Sequence, residues 1–199
     1  MTTTPTTATD RILDSAEALF FTDGIAVTGV DRVADSAGVA IATLYKHVGS
    51  KDGLLQAVLT RRLRSWIEQW DAAIDAAESP RERLLAIFDA LADFRESAGT
   101  TQWCCFLATA SERPRPSGAP SDAVHDLVEQ DTLLVTQRLQ QLAEDAALDD
   151  PSTVASRLLL IYNGALSSLL RGAPAEPLPL ARHLAEFVVD SSSRAPGKG

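Results

Sequence analysis

The stretch Thr28-Gly29-Val30-Asp31-Arg32-Val33-Ala34-Asp35-Ser36-Ala37-Gly38-Val39-Ala40-Ile41-Ala42-Thr43-Leu44-Tyr45-Lys46-His47-Val48-Gly49-Ser50-Lys51-Asp52-Gly53-Leu54-Leu55 decides the fold of this 199-residue chain. Val30, Val33, Ala34 and Ala37 follow the i, i+3, i+4, i+7 spacing of a helical face, with Thr28 as the expected cap. Gly38 suits a positive φ and breaks that helix, and Val39 plugs the angle to a second helix over about 40–47. Gly49-Ser50 breaks the chain again, and Ser50 is placed to cap a long helix reaching about residue 77. Two short helices joined by a glycine turn are helix-turn-helix grammar. Neither is long enough to be stable alone, so the preceding helix and the start of the long one must supply its core.

Leu44 and Val48, one turn apart, are expected to face that core. The opposite surface then shows Ile41, Ala42, Thr43 and Lys46, with Tyr45 and His47 at its flanks. Small side chains at 42 and 43 allow close approach to base edges, Lys46 can donate to guanine, and methyl groups can meet thymine. Tyr45, His47 and Lys51 suit phosphate oxygens, and the helix N-terminus behind Thr28 suits an anion.

Outward from this segment the same period continues, and no alternating strand pattern occurs, so the chain reads as all-α with about nine helices. The first helix is expected from a cap at Thr9 or Asp10 to Gly24, with Ile12, Leu13, Ala16, Leu19 and Phe20 on one face. Ser79-Pro80-Arg81-Glu82 reads as a capping box opening a fifth helix to about Ser97. Further helices are expected over 101–112, 121–147, 151–171 and 180–191, with a proline-rich loop over 113–120 and an extended connector at Pro174, Pro177 and Pro179. Residues 1–8 and 192–199 read as disordered tails, 9–55 as a DNA-binding domain and 56–191 as a second domain.

A net charge of −9 argues against nucleic acid until its distribution is read. Residues 1–64 balance seven basic against seven acidic side chains, and 38–65 alone carry +4, so the acidic excess lies wholly beyond residue 64. Such a chain can present one face to phosphate and repel it elsewhere. Apolar runs such as Leu158–Tyr162 fall far short of the ~18–20 residues that cross a bilayer, and the N-terminus lacks a signal-peptide pattern. A cytoplasmic, soluble protein without a membrane partner is the expectation. Adjacent Cys104 and Cys105 cannot build a disulfide framework, and no neighbouring cation marks either as a nucleophile or redox sensor. His125 and Glu129, near Asp122 and Asp126, could approach a metal but read as a solvated acidic face. No metal, cofactor or enzyme motif is found.

Residues 12–55 resemble the N-terminal DNA-binding domain of the TetR family of transcriptional regulators. The resemblance is carried by Ala16, Phe20, Gly24, Thr28, Val33-Ala34, Ala37-Gly38-Val39, Thr43-Leu44-Tyr45, His47 and Ser50-Lys51-Asp52-Gly53-Leu54-Leu55. It implies base reading by Ile41, Ala42, Thr43 and Lys46, and backbone contacts from Thr28, Tyr45, His47 and Lys51. Two positions depart from the pattern: Ala40 stands where a serine cap is common, and Ile41 where a polar side chain is common. Both also fit an all-α binding module that has lost its operator.

One such head reads few base pairs, so a homodimer on a pseudo-palindromic double-stranded operator is expected, with heads ~34–36 Å or a multiple apart. The helix over 151–171 is apolar nearly all round. Leu158, Tyr162, Ala165 and Leu169 form one face; Leu160, Gly164, Ser167 and Arg171 lie opposite and, with Leu184 and Phe187 of the last helix, are expected to build a four-helix dimer interface. Trp66, Trp70, Phe88, Leu91, Phe94, Trp103, Phe106 and Tyr162 are candidate walls of an effector pocket. The resemblance implies a small-molecule effector whose binding shifts the long fourth helix, and a ligand-released repressor as the function.

Overall fold

A computed structural model describes residues 7–98, 104–115, 117–118 and 120–192. Among these residues there are nine helices and no strand. They are α1 (Ala8–Asp23), α2 (Val30–Ala37), α3 (Ile41–Val48), α4 (Lys51–Ala76), α5 (Pro80–Ala98), α6 (Cys105–Glu112), α7 (Ala123–Asp145), α8 (Pro151–Arg171) and α9 (Pro177–Ser191). Contacts divide the chain into two compact units, Met1–Arg64 with Cys104–Glu129 and Ser65–Trp103 with Gln130–Gly199. Helices α4 and α7 each run from one unit into the other. The division differs from a boundary after residue 55, because α6 and the first turns of α7 pack with the head.

In the first unit α1 packs on α2 and α2 on α3. Ile12, Ala16, Phe20, Val33, Leu44, Leu54, Val58 and Leu59 are buried together, the apolar stripes of three short elements closing over the start of α4. Glu17 is buried with them and is held by Arg61 at 2.6 Å and Arg62 at 3.0 Å, which ties α1 to α4. Such a carboxylate is tolerated inside only because it is paired.

Several caps fall elsewhere than the sequence suggests. Thr7, not Thr9 or Asp10, caps α1: its hydroxyl oxygen accepts from Asp10 N at 3.1 Å while Asp10 Oδ2 accepts from Thr7 N at 3.0 Å. The Asp10 carboxyl is held below its ordinary range chiefly because the Thr7 hydroxyl also donates to its Oδ2 at 2.7 Å, and next because Thr7 N donates to it. Gly29, not Thr28, precedes α2, and no side chain caps it. Ala40 precedes α3, also without a side-chain cap. Ser50 accepts from Gly53 N at 2.9 Å, as its position predicts. Ser79 accepts from Glu82 N at 3.2 Å, while Glu82 reaches back to Glu78 N at 3.0 Å, one residue earlier than a regular capping box.

Gly38 and Gly53 are among the glycines that geometry requires. Gly38 ends α2 at φ 64°, the left-handed region that side chains avoid. At Gly53 an added Cβ would lie 2.1 Å from the Val48 carbonyl oxygen, so only glycine lets α4 start against the end of α3. Val48 itself is half-buried rather than part of the core, leaving Leu44 as the one fully buried side chain of α3.

In the second unit α9 packs on both α5 and α8. Arg81 pairs with Asp190 through two bonds of 2.7 and 2.9 Å, and Arg182 lies 3.4 Å from Asp89. Helix α9 begins at Pro177 rather than near residue 180, with Pro177 and Pro179 in its first turn, where the missing N–H groups have no intrahelical partner to lose. Ser192 follows it, its carbonyl accepting from Asp149 N at 3.2 Å. Asp150 caps α8 through Thr153 N at 3.1 Å, with Pro151 following. By length and composition alone α8 could cross a membrane, its most apolar window having a mean hydropathy of 1.2. One face of this helix (Leu158, Tyr162, Ala165, Leu166) is buried in its own unit.

Candidate nucleic-acid interface

Leu44 anchors α3 and thereby sets what the helix shows to solvent. Ile41 is 45% and Tyr45 44% exposed; Ala42, Lys46 and His47 are exposed, and Thr43 is half-buried. The candidate base-reading surface is therefore accessible in the chain. Lys46 and His47 sit in the last turn of α3, where the helix dipole favours positive charge. His47 Nδ1 lies 3.1 Å from Thr9 Oγ1 of α1, a contact that leaves Nε2 for another partner. The sequence marked Thr9 only as a candidate helix cap, not as a partner of His47.

Lys51, at the start of α4, is placed by two neighbours. Its ammonium donates to the Ala26 carbonyl at 3.1 Å and lies 6.0 Å from the centre of the Phe20 ring. Thr28 requires a correction. It is fully buried, and its hydroxyl donates to the Gly24 carbonyl at 2.7 Å. The side chain thus stabilises the turn between α1 and α2 from inside and is not available to a phosphate. Its hydroxyl satisfies a carbonyl left unpaired where α1 ends, a partner four residues away that no periodicity signals.

Further contacts surround this surface within the first unit. Arg113 reaches Asp52 at 2.5 Å and Asp122 at 3.2 Å. His125 lies beside both, with Nδ1 3.0 Å from Asp122 Oδ1 and Nε2 3.1 Å from the Arg113 carbonyl. The backbone N–H groups of His125 and Val124 also bond Asp122, and the bond from His125 N is the chief cause holding that carboxyl below its ordinary range. These residues form an ion-pair and capping network; among the described residues no cluster suited to a metal ion occurs.

In the second unit, Trp66 and Trp70 lie 5.7 Å apart between ring centres, with Phe94 at 5.6 Å and Tyr162 at 6.1 Å from Trp66. Arg138 covers the Trp70 ring at 4.6 Å and pairs with Asp71. Phe88 and Leu91 are buried on α5. Phe106 is buried in the other unit, and Trp103 lies outside the described residues. Both indole N–H groups of Trp66 and Trp70 are buried without a hydrogen-bond acceptor among the described residues. Phe94 stands where the aromatic pattern expects it, whereas Arg138 and Asp131 went unnoticed in the sequence. Asp131 lies two turns before Arg138 on the same face of α7, and burial pushes its carboxyl up to about 7. Cys105 is buried, Cys104 half-buried, and neither is in a disulfide.

The outer face of α8 and α9 is apolar and open. Leu160 is 73% and Phe187 71% exposed, Leu184 is exposed, and Gly164, Ser167 and Arg171 share the same side of the fold. Ile161, Gly164, Ala165, Ser168, Leu180 and Leu184 line a groove of about 200 Å³ there.

An exposed recognition helix braced by two others at the head of an all-α chain defines a helix-turn-helix DNA-binding regulator. Residues 12–58 match the family model described as "Bacterial regulatory proteins, tetR family". An uncharacterized HTH-type transcriptional regulator of Mycobacterium tuberculosis is 32% identical, over 92% of this chain and 84% of that one. The HTH-type transcriptional regulator YjdC of Escherichia coli is 27% identical, over 90% of this chain and 92% of that one. The crystal structure of a TetR-family transcriptional regulator from Streptomyces coelicolor superposes with a TM-score of 0.83 at 26% identity, covering 94% of this chain and 96% of that one. This chain belongs to the TetR family of transcriptional regulators.

Proposed function

We propose that the protein is a cytoplasmic, homodimeric, ligand-responsive repressor. The observation that carries this reading is the exposure of Ile41, Ala42, Tyr45, Lys46 and His47 around a single buried anchor, Leu44. Ile41, Ala42, Thr43 and Lys46 read base edges; Tyr45, His47 and Lys51 hold phosphate, with the α2 amides behind Gly29 in the place first given to the Thr28 side chain. Ile41 replaces a hydrogen bond with apolar contact, which suits a thymine methyl. Two heads on one duplex double the contacts, and repression then needs nothing more than occupancy of the operator.

A second copy is the occupant that the outer face of α8 and α9 suits best, because exposed leucine and phenylalanine beside Gly164 and Ser167 permit close helix approach. The effector site centres on Trp66, Trp70, Phe88, Leu91 and Tyr162. Two buried indole donors without acceptors favour a flat, largely apolar effector that carries an oxygen or nitrogen acceptor. Such a ligand acts only through its different affinity for the operator-competent and incompetent states.

The test is selection of bound duplexes from a random pool, followed by anisotropy titration and a screen for small molecules that release the complex. A palindromic consensus bound by two chains is expected. Uniform, sequence-independent binding or none at all overturns the operator reading; a consensus that no small molecule releases overturns the effector reading.

A further inference from the structure

The C-terminal end of α6 grips the head at the two places that flank Lys51. Glu112 Oε2 accepts a hydrogen bond from Ala26 N at 3.0 Å, in the turn between α1 and α2. The carbonyl of the same Ala26 accepts from Lys51 Nζ at 3.1 Å. One residue of the turn is thus pinned at its N–H by a carboxylate and at its C=O by an ammonium. The next residue of the grip, Arg113, pairs with Asp52, the neighbour of Lys51 in sequence. All of these residues belong to the first unit, yet Glu112 and Arg113 lie some fifty residues beyond the 12–58 segment that the family model covers.

An ammonium has three N–H donors. On Lys51 one is spent on Ala26 and the Phe20 ring bounds another side, so the remaining donors point away from both. A lysine side chain carries about 2 kcal/mol of rotamer entropy, and a lysine already held loses less of it when it meets a phosphate. We propose that Glu112 is a positioning residue for operator binding, which holds Ala26 in place so that its carbonyl orients the Lys51 ammonium toward the DNA backbone. Arg113 supports the arrangement by pairing Asp52, whose charge would otherwise oppose an approaching phosphate. A displacement of the end of α6 is then felt directly at a phosphate contact. The proposal rests on Lys51 being such a contact.

Charge alone predicts the opposite sign. A carboxylate near the duplex repels phosphate, so removing Glu112 tightens binding if its role is purely electrostatic. If it positions Lys51, removing it weakens binding. The full-length protein and its selected operator are titrated across a salt series for the wild type, Glu112→Ala, Glu112→Gln, Lys51→Met and the double variant Glu112→Ala/Lys51→Met. Amide exchange at Ala26 is followed in the DNA-free protein. Glu112→Ala is expected to speed exchange at Ala26, to weaken operator binding about 3–10-fold, and to lower the salt slope by up to about 1, as Lys51→Met does. Glu112→Gln, whose amide oxygen can still accept from Ala26, restores wild-type behaviour, and the double variant binds no worse than Lys51→Met. Unchanged exchange, binding equal to or tighter than wild type in Glu112→Ala, or additive losses in the double variant overturn the positioning role. If Lys51→Met itself leaves affinity and slope unchanged, the phosphate role of Lys51 falls, and the positioning role with it.

Discussion

Lys46 and Lys51 carry one charge each, but they stand in different surroundings and should fail differently. Lys46 is exposed on α3 near Ala42 and Thr43, and the proposed function gives it a base edge. Lys46→Ala is expected to weaken operator binding by about 1–3 kcal/mol and to relax the preference at one position, read by repeating the duplex selection with the variant. Thr28 illustrates how a residue type misleads: a threonine ahead of a helix invites a cap or a phosphate contact, but its hydroxyl is turned inward to Gly24. Thr28→Val should therefore lower stability by about 1 kcal/mol, seen in thermal unfolding, with the salt slope of operator binding unaltered. Asp131 yields a pH signature. Its folded pKa of about 7 lies above the unfolded value of 3.8, so the folded state binds the extra proton. The contribution of Asp131 to folded stability is then greatest below about pH 4, declines as pH rises through 7, and stays lower beyond it. Asp131→Asn removes that decline: it should raise Tm by at least about 2–4 °C at pH 8 relative to the wild type, with little difference at pH 4.

At the scale of elements, what the sequence announces well is where helices break. Gly38, Gly49, Ser79-Pro80, Asp150-Pro151 and Gly172 all fall at element ends in the structure, because each is a backbone rule with little tertiary input. First turns were harder. Thr7 displaced Thr9 and Asp10 as the cap of α1, and α9 took up two prolines that read as an extended connector. In both cases several residues satisfy the same local rule, and packing chooses among them. Gly53 is the opposite case, a glycine whose need is set by the approach of α3 and α4. Gly53→Ala places a Cβ 2.1 Å from the Val48 carbonyl, and the resulting shift should cost about 1–3 kcal/mol in a chemical-denaturation titration, with operator affinity falling in parallel. A variant as stable as the wild type would show that α4 can retreat.

For the whole molecule, the proposed dimer is what makes one head useful. Nothing lies within 4 Å of a Cβ built at the exposed Gly164, so Gly164→Leu starts without a clash and replaces a helix-interior glycine, adding up to about 1 kcal/mol of helix stability. If the outer face of α8 and α9 is the interface, the same leucine holds the two copies apart. A well-folded monomer with lost operator binding is the expected outcome, measured by sedimentation and anisotropy. A dimer that persists would move the interface elsewhere.

The residue order alone determined an all-α chain, a helix-turn-helix segment at 28–55 and the outward set around Leu44, since hydrophobic period and glycine breaks are local and report directly on backbone geometry. It also marked the aromatic residues on α4 and α8, of which Trp66, Trp70 and Tyr162 do meet. Only the tertiary structure decided that Thr28 turns inward, that Arg138 covers Trp70, and that Glu112 and Arg113 close on the head from α6. Those contacts join residues distant in sequence. A side chain's partner across such a gap depends on how whole helices pack, which no window of neighbouring residues contains.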